Sequence, residues 1–191
     1  DEEGAVGSLA NAWLMKVAME QQAPDAVQKY YKRVSNSAAP ETAAAQRWAK
    51  LFYMQDLPKS ADTKLAKIPY ATKIETVEKE AKDWLAKYPN FVRATEGQGV
   101  LWELANAQYM KGQIAQGPAP KKAPAVPPPL PKAAEAYYNQ AVKTLDRLAA
   151  IDGDFSEKAS QLGLAIQFML MENTKRDLAS FDDWFLKARF E

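Results

Sequence analysis

Cysteine and histidine are both absent from this chain of 191 residues. Their absence excludes disulfides, thiolate or imidazole metal ligands, Ser–His and Cys–His nucleophile systems, and a histidine general base. The missing cysteine also leans toward a compartment outside the cytoplasm, such as the bacterial periplasm or an extracytoplasmic membrane surface, where a stray thiol is a liability. Long apolar runs are lacking too. None approaches the roughly 20 residues that cross a bilayer, and the best candidate, Leu162 to Met171, is short and contains Gln167. No excess of one charge exists: 25 Lys and Arg are interleaved with 24 Asp and Glu, for a net charge of +1. A nucleic-acid binder carries a clustered basic surface, so nucleic acid is not an expected partner. There is no glycine-rich GxxxxGK loop, and the carboxylates follow salt-bridge spacing. The expectation is therefore a non-enzyme with no cofactor and no metal.

What is present is helical periodicity. Apolar residues recur at three- and four-residue spacing almost throughout, with no alternating strand, and about eight helices follow. The first is expected after Ser8, with Leu9, Trp13, Leu14 and Val17 facing inward. Pro24 opens the second, striped with Val27, Tyr30, Tyr31 and Val34, and Pro40 opens the third, carrying Trp48, Leu51 and Phe52. Residues 56–69 read as an irregular connection. The fourth helix, Ala71 to Tyr88, turns Ile74, Val77, Ala81, Trp84 and Leu85 inward. Its outer face should hold the pairs Glu75–Lys79, Glu78–Lys82 and Asp83–Lys87, each acid four residues ahead of its base. A fifth helix covers Phe91 to Lys111 and a sixth Lys132 to Ala150. A seventh carries Leu162, Ile166, Met169 and Leu170, and an eighth, capped by Ser180, carries Trp184, Phe185 and Phe190.

Between the fifth and sixth helices, residues 112–131 hold seven of the twelve prolines. The flanking helices look like two halves of one helical hairpin pushed apart by a proline-rich loop, residues 113–131. The chain begins with Asp1 and ends in mid-pattern, so it reads as a piece of a longer polypeptide.

Leu101, Leu104, Ala105, Tyr109 and Gly112, followed after the loop by Ala134, Tyr138 and Ala141, resemble helices A and B of a tetratricopeptide repeat. Leu162-Gly163 is similar to the Leu-Gly pair of another helix A, and Tyr88-Pro89-Asn90 to the proline turn that closes a helix B. Phe91/Gly99 and Phe155/Gly163 repeat an aromatic–glycine spacing. Two registers compete, one placing Gly99 and the other Ala105 at the small-residue position. The resemblance implies one TPR-like domain over residues 1–191: antiparallel helix-turn-helix repeats stacked into a right-handed superhelix whose concave surface binds other proteins. Stacking has an independent reason, because a helical hairpin cannot bury its apolar stripe alone.

In one register the groove is lined by Trp102, Glu103, Asn106 and Tyr109, with Trp102 alternatively a core residue. Arg47, Lys50 and Tyr53 on the third helix are a second set, two cations able to receive a carboxylate, or else ordinary solvated surface. Pro124, Pro127, Pro128 and Pro131 give overlapping PxxP spacings suited to polyproline II docking, or else a spacer. Asp152, Asp154 and Ser156 have the opening of a calcium loop, but Glu157 and Gly163 occupy the positions that need glycine and a carboxylate, so a turn and cap is expected. The function expected is a protein–protein interaction scaffold, self-association included. Alternatives are a structural subunit of a membrane-associated complex and the helical portion of a cell-wall-acting enzyme.

Overall fold

The computed structural model describes residues 4–37, 39–60, 62–118 and 128–190, the stretch 176–190 as backbone only. Among these residues the protein is all-α and has no strand. Its helices are α1 (Ala5–Glu20), α2 (Pro24–Ser35), α3 (Ala43–Asp56), α4 (Thr63–Ala66), α5 (Tyr70–Lys87), α6 (Thr95–Gln116), α7 (Lys132–Ala149) and α8 (Ser156–Phe190). Pro40–Thr42 and Pro89–Phe91 form 3-10 turns that lead toward α3 and α6. Two compact units divide the chain, Asp1–Leu104 and Ala105–Glu191.

In the first unit α1 packs on α2 and α3, and α3 packs on α5. The turn after α1 has a defined mechanism. The amide of Ala23 donates to the carbonyl of Ala18, and that of Gln22 to Met19, the paired bonds of a Schellman cap. Gln22 pays for this geometry in conformation, holding φ at +53°, the left-handed region that glycine occupies without strain. Pro24 then supplies the first turn of α2.

The inward face of α1 differs from the expected one. Ser8 lies inside the helix and is buried, not a cap, because the helix already starts after extended Gly4. The buried side is Ala12, Met15, Ala18 and Met19, while Trp13, Leu14 and Val17 are exposed and Leu9 is intermediate. Alanines with flexible methionines between them pack α1 against two neighbours, and Trp13, Leu14 and Val17 are left on the far side. The face expected of α5 is correct for Ile74, Val77, Ala81 and Trp84, all buried. Of its acid–base pairs, Glu78–Lys82 closes at 2.6 Å, but the Glu78 carboxylate is buried and not on the outer face.

In the second unit the two helices flanking the proline-rich segment do form a hairpin. Gly112 lies under the Tyr138 ring, where a Cβ would come within 2.5 Å of Cε1. The Tyr138 hydroxyl donates to Gln116 Oε1 at 2.8 Å, and Thr144 Oγ1 donates to Gln108 Oε1 at 2.7 Å. Ala134, Tyr138, Ala141, Leu145 and Leu148 form the buried stripe of α7. α7 also packs along α8. The seventh and eighth expected helices are one continuous helix. Ser180 and Asp183 have cap spacing, but no glycine or proline lies between Leu164 and Phe190, and extending a helix costs less than nucleating a new one. Ser156 opens α8, and its hydroxyl caps the carbonyl of Ala149 at 3.0 Å.

Three substitutions test this packing by urea denaturation. Gln22→Gly should raise stability by about 0.5–1 kcal/mol by removing the left-handed strain. Gly163→Ala should raise it by a similar amount, about 0.5–1 kcal/mol, because its Cβ meets Leu145 Cβ at an ordinary 3.6 Å. Gly112→Ala should lower it by about 1–3 kcal/mol despite the better helix propensity, since the buried Tyr138 ring cannot retreat.

Candidate functional site

Two surfaces of the first unit carry chemistry. One is built by α1, α3 and the start of α6. Trp13 stands on Trp48 and Phe52, with ring centroids 5.2 and 5.4 Å away, and Trp48 lies 5.6 Å from Phe52. Phe52 is buried, Trp48 intermediate, and Trp13 is 48 % exposed. The Lys16 ammonium lies 5.8 Å from the Phe52 ring centroid. Beside it Glu103 is partly buried, and desolvation pushes its carboxyl above the ordinary 4.5. A hydrogen bond from Gln55 and the charges of Lys59 and Lys16 oppose that rise. The result is an aromatic surface with one exposed indole, edged by lysines and a carboxyl that is reluctant to ionise.

The other surface is a cleft of about 230 Å³ between α2, α3 and α5. Ala49 and Trp84 form its floor, Tyr31 and Tyr88 its walls, and Lys50, Glu80, Asp83 and Lys87 its charged rim. Lys50 Nζ meets Glu80 Oε2 at 2.6 Å. Burial works against the Lys50 charge, but the hydrogen bond and charge of Glu80, with help from Tyr31, outweigh it and raise its pKa above 10.5. Tyr53 stacks on Tyr31, with centroids 5.1 Å apart, and its hydroxyl is also raised, mainly by burial and by the Tyr31 and Glu80 charges. A lysine held charged and a tyrosine held protonated supply no nucleophile at neutral pH.

The residues expected to act together are dispersed. Arg47 is buried and committed inward: its Nε donates to Glu96 Oε1 at 3.0 Å, and its guanidinium lies 3.6 Å from the Phe91 ring centroid. Arg47 thus lies inside the first unit and not on the exposed face expected for it. Lys50 reaches the cleft but is already paired, and Tyr53 lies against Tyr31. Trp102 and Glu103 are half-buried residues of the first unit. Asn106 and Tyr109 belong to the second, where Tyr109 packs 5.7 Å from Tyr138 and accepts a hydrogen bond from Gln113. The two small residues of the competing registers lie in different units. Gly99 presses on Leu51 in the first unit, and Ala105 is fully buried at the start of the second. Pro124 and Pro127 lie outside the described residues. Pro128 is exposed, and Pro131 caps α7. No group of three or more Asp or Glu suited to a metal occurs among the described residues. Nor does any described helix have the length and apolarity to cross a membrane.

The site that sequence reasoning missed is Trp13. The signal was available: α1 carries apolar residues on both sides, and Ala12, Met15 and Ala18 already account for a complete inward face. Compared with protein-family models, curated proteins and solved structures, the chain has no match.

Glu103 gives a pH test. Its folded pKa is raised, so its contribution to stability is full below the unfolded value of 4.5 and is lost as pH rises through the folded value. Glu103→Gln should therefore be more stable than the wild type at neutral pH. The difference should shrink toward zero below the ordinary glutamate value. Urea denaturation of both proteins across that range reads the effect.

Proposed function

We propose that this chain is a non-catalytic protein–protein interaction scaffold, made of helical hairpins stacked in the TPR-like manner, with the α1–α3 aromatic surface as its contact face. The observation that carries this reading is Trp13. A tryptophan half in water is costly, and it does not stand alone: Val6, Leu14 and Val17 on the same helix are exposed beside it. Aromatic anchors of this kind, edged by polar groups, dominate the energetics of protein interfaces. The cleft of α2, α3 and α5 supports the same conclusion from the opposite side, since its strongest charges, Lys50 and Glu80, satisfy each other.

A photo-crosslinking amino acid at Leu14 or Val17, compared with one at exposed Lys79 on α5, tests the assignment in native extract. Discrete protein adducts should form from the α1 positions and not from Lys79. Equal labelling from both helices, or no adduct from α1, overturns the proposal.

A further inference from the structure

The cleft between α2, α3 and α5 lies wholly within the first unit, and its hydrogen-bonding groups are lopsided. Most of its donors are engaged. Gln46 turns its Nε2 to the carbonyl of Ser37 and the hydroxyl of Thr42. A carbonyl only accepts, so this contact fixes the amide orientation and leaves Oε1 as the open end. The Ser35 hydroxyl donates to the carbonyl of Tyr31 at 2.8 Å, and the buried Trp84 indole N–H to that of Arg47 at 3.3 Å. Lys50 is held by Glu80 at 2.6 Å and by Tyr31.

The acceptors, by contrast, stay open. Glu80 uses Oε2 on Lys50 and keeps Oε1, and Gln46 Oε1 accepts from no described group. Asp83 follows Glu80 by three residues on the same face of α5. It is exposed and forms no ion pair with any described cation. The second lysine of the rim, Lys87, holds its ammonium 5.1 Å from the Tyr88 ring centroid and pairs with no described carboxylate.

Size, walls and open groups together select a ligand. About 230 Å³ is less than the roughly 300–1,000 Å³ that drug-sized ligands occupy, so the cleft admits one side chain or one small planar group. Its walls, Tyr31 and Tyr88, are aromatic. Guanidinium is planar, permanently charged and made of donors alone, and it both pairs with carboxylates and stacks on aromatic rings. An ammonium meets the charge condition but is a compact, strongly hydrated point charge. A carboxylate or phosphate would bring acceptors to acceptors.

Independently of the α1 contact face, we infer that this cleft is a binding site for a guanidinium group. Asp83, Glu80 and Gln46 Oε1 receive its N–H donors, Tyr31 packs on its plane, and Lys87 opposes its charge.

Two-dimensional proton–nitrogen NMR of the whole chain, titrated with N-acetyl-arginine methylamide, tests the site. The corresponding lysine and glutamate compounds serve as comparisons. Saturable shifts should appear at the amides of residues 46–50 and 80–88 and at the Trp84 indole. The arginine probe should bind more tightly than the lysine probe, and the glutamate probe should give no such shifts. Two substitutions at exposed positions should move the affinity in opposite directions. Asp83→Asn should weaken it and Lys87→Gln should tighten it, each by about two- to fivefold, the scale of one exposed charge interaction. A damaged fold does not tighten a site, so Lys87→Gln decides the matter even if Asp83→Asn disturbs α5. Free L-arginine distinguishes the sources of the group. Binding of the blocked probe at least as tight as that of free arginine assigns the cleft to an arginine of a partner polypeptide, and tighter binding of free arginine assigns it to the amino acid itself. No saturable shift into the millimolar range, an arginine probe no better than the lysine or glutamate probe, or an affinity that neither substitution changes each overturns the inference.

Discussion

Arg47 fixes the first unit. Its guanidinium donates to Glu96 on α6 and lies over Phe91 in the turn before it, while its carbonyl accepts the Trp84 indole N–H of α5 at 3.3 Å. One residue thereby ties α3 to α5, α6 and the Pro89–Phe91 turn. A buried charge of this kind is stable only while its partner is present, and loss of either member leaves an uncompensated ion. The pair also sets the rotation of α3 about its axis. With residue 47 turned toward α6, Trp48 and Phe52 must point toward α1, and Lys50 and Tyr53 toward α2 and α5. The aromatic surface and the charged cleft are the two sides of a helix whose orientation the ion pair has already decided.

Most of the helices were legible because glycine, proline and apolar spacing punctuate them. Pro24 and Lys132 mark real starts, and the stripe of α7 is buried as the pattern implies. The misreadings have physical causes. On α1 side-chain bulk is a poor guide to burial, because packing against two helices uses alanine and methionine. At Ser180 a local capping signal was overruled by the absence of any residue that would stop the helix. Apolar spacing suggests a fifth helix from Phe91, but Pro89–Phe91 closes into a 3-10 turn and α6 starts at Thr95.

The candidate site was less legible than the fold. Arg47 and Lys50 have the composition of a binding face, but their partners, Glu96 and Glu80, lie 49 and 30 residues away in sequence, and no spacing rule connects them. Trp13 was hidden for the opposite reason. A tryptophan on an amphipathic helix is ordinarily assigned to the core, which masks the signal of Ala12, Met15 and Ala18 completing the inward face of α1 without it.

The hairpin of α6 and α7 has one further consequence, for the segment joining them. Its ends are held by side-chain bonds on the helices themselves, from Tyr138 to Gln116 and from Thr144 to Gln108. Leu130 of the connection also donates its amide to buried Asn173 Oδ1 at 2.7 Å, so residues added ahead of Leu130 keep these bonds and cost a closure entropy of about 0.6 kcal/mol for each doubling. Insertion of a reporter or an entire domain therefore belongs after Gly117 and well ahead of Leu130, where the bonds that hold α6, α7 and α8 are spared.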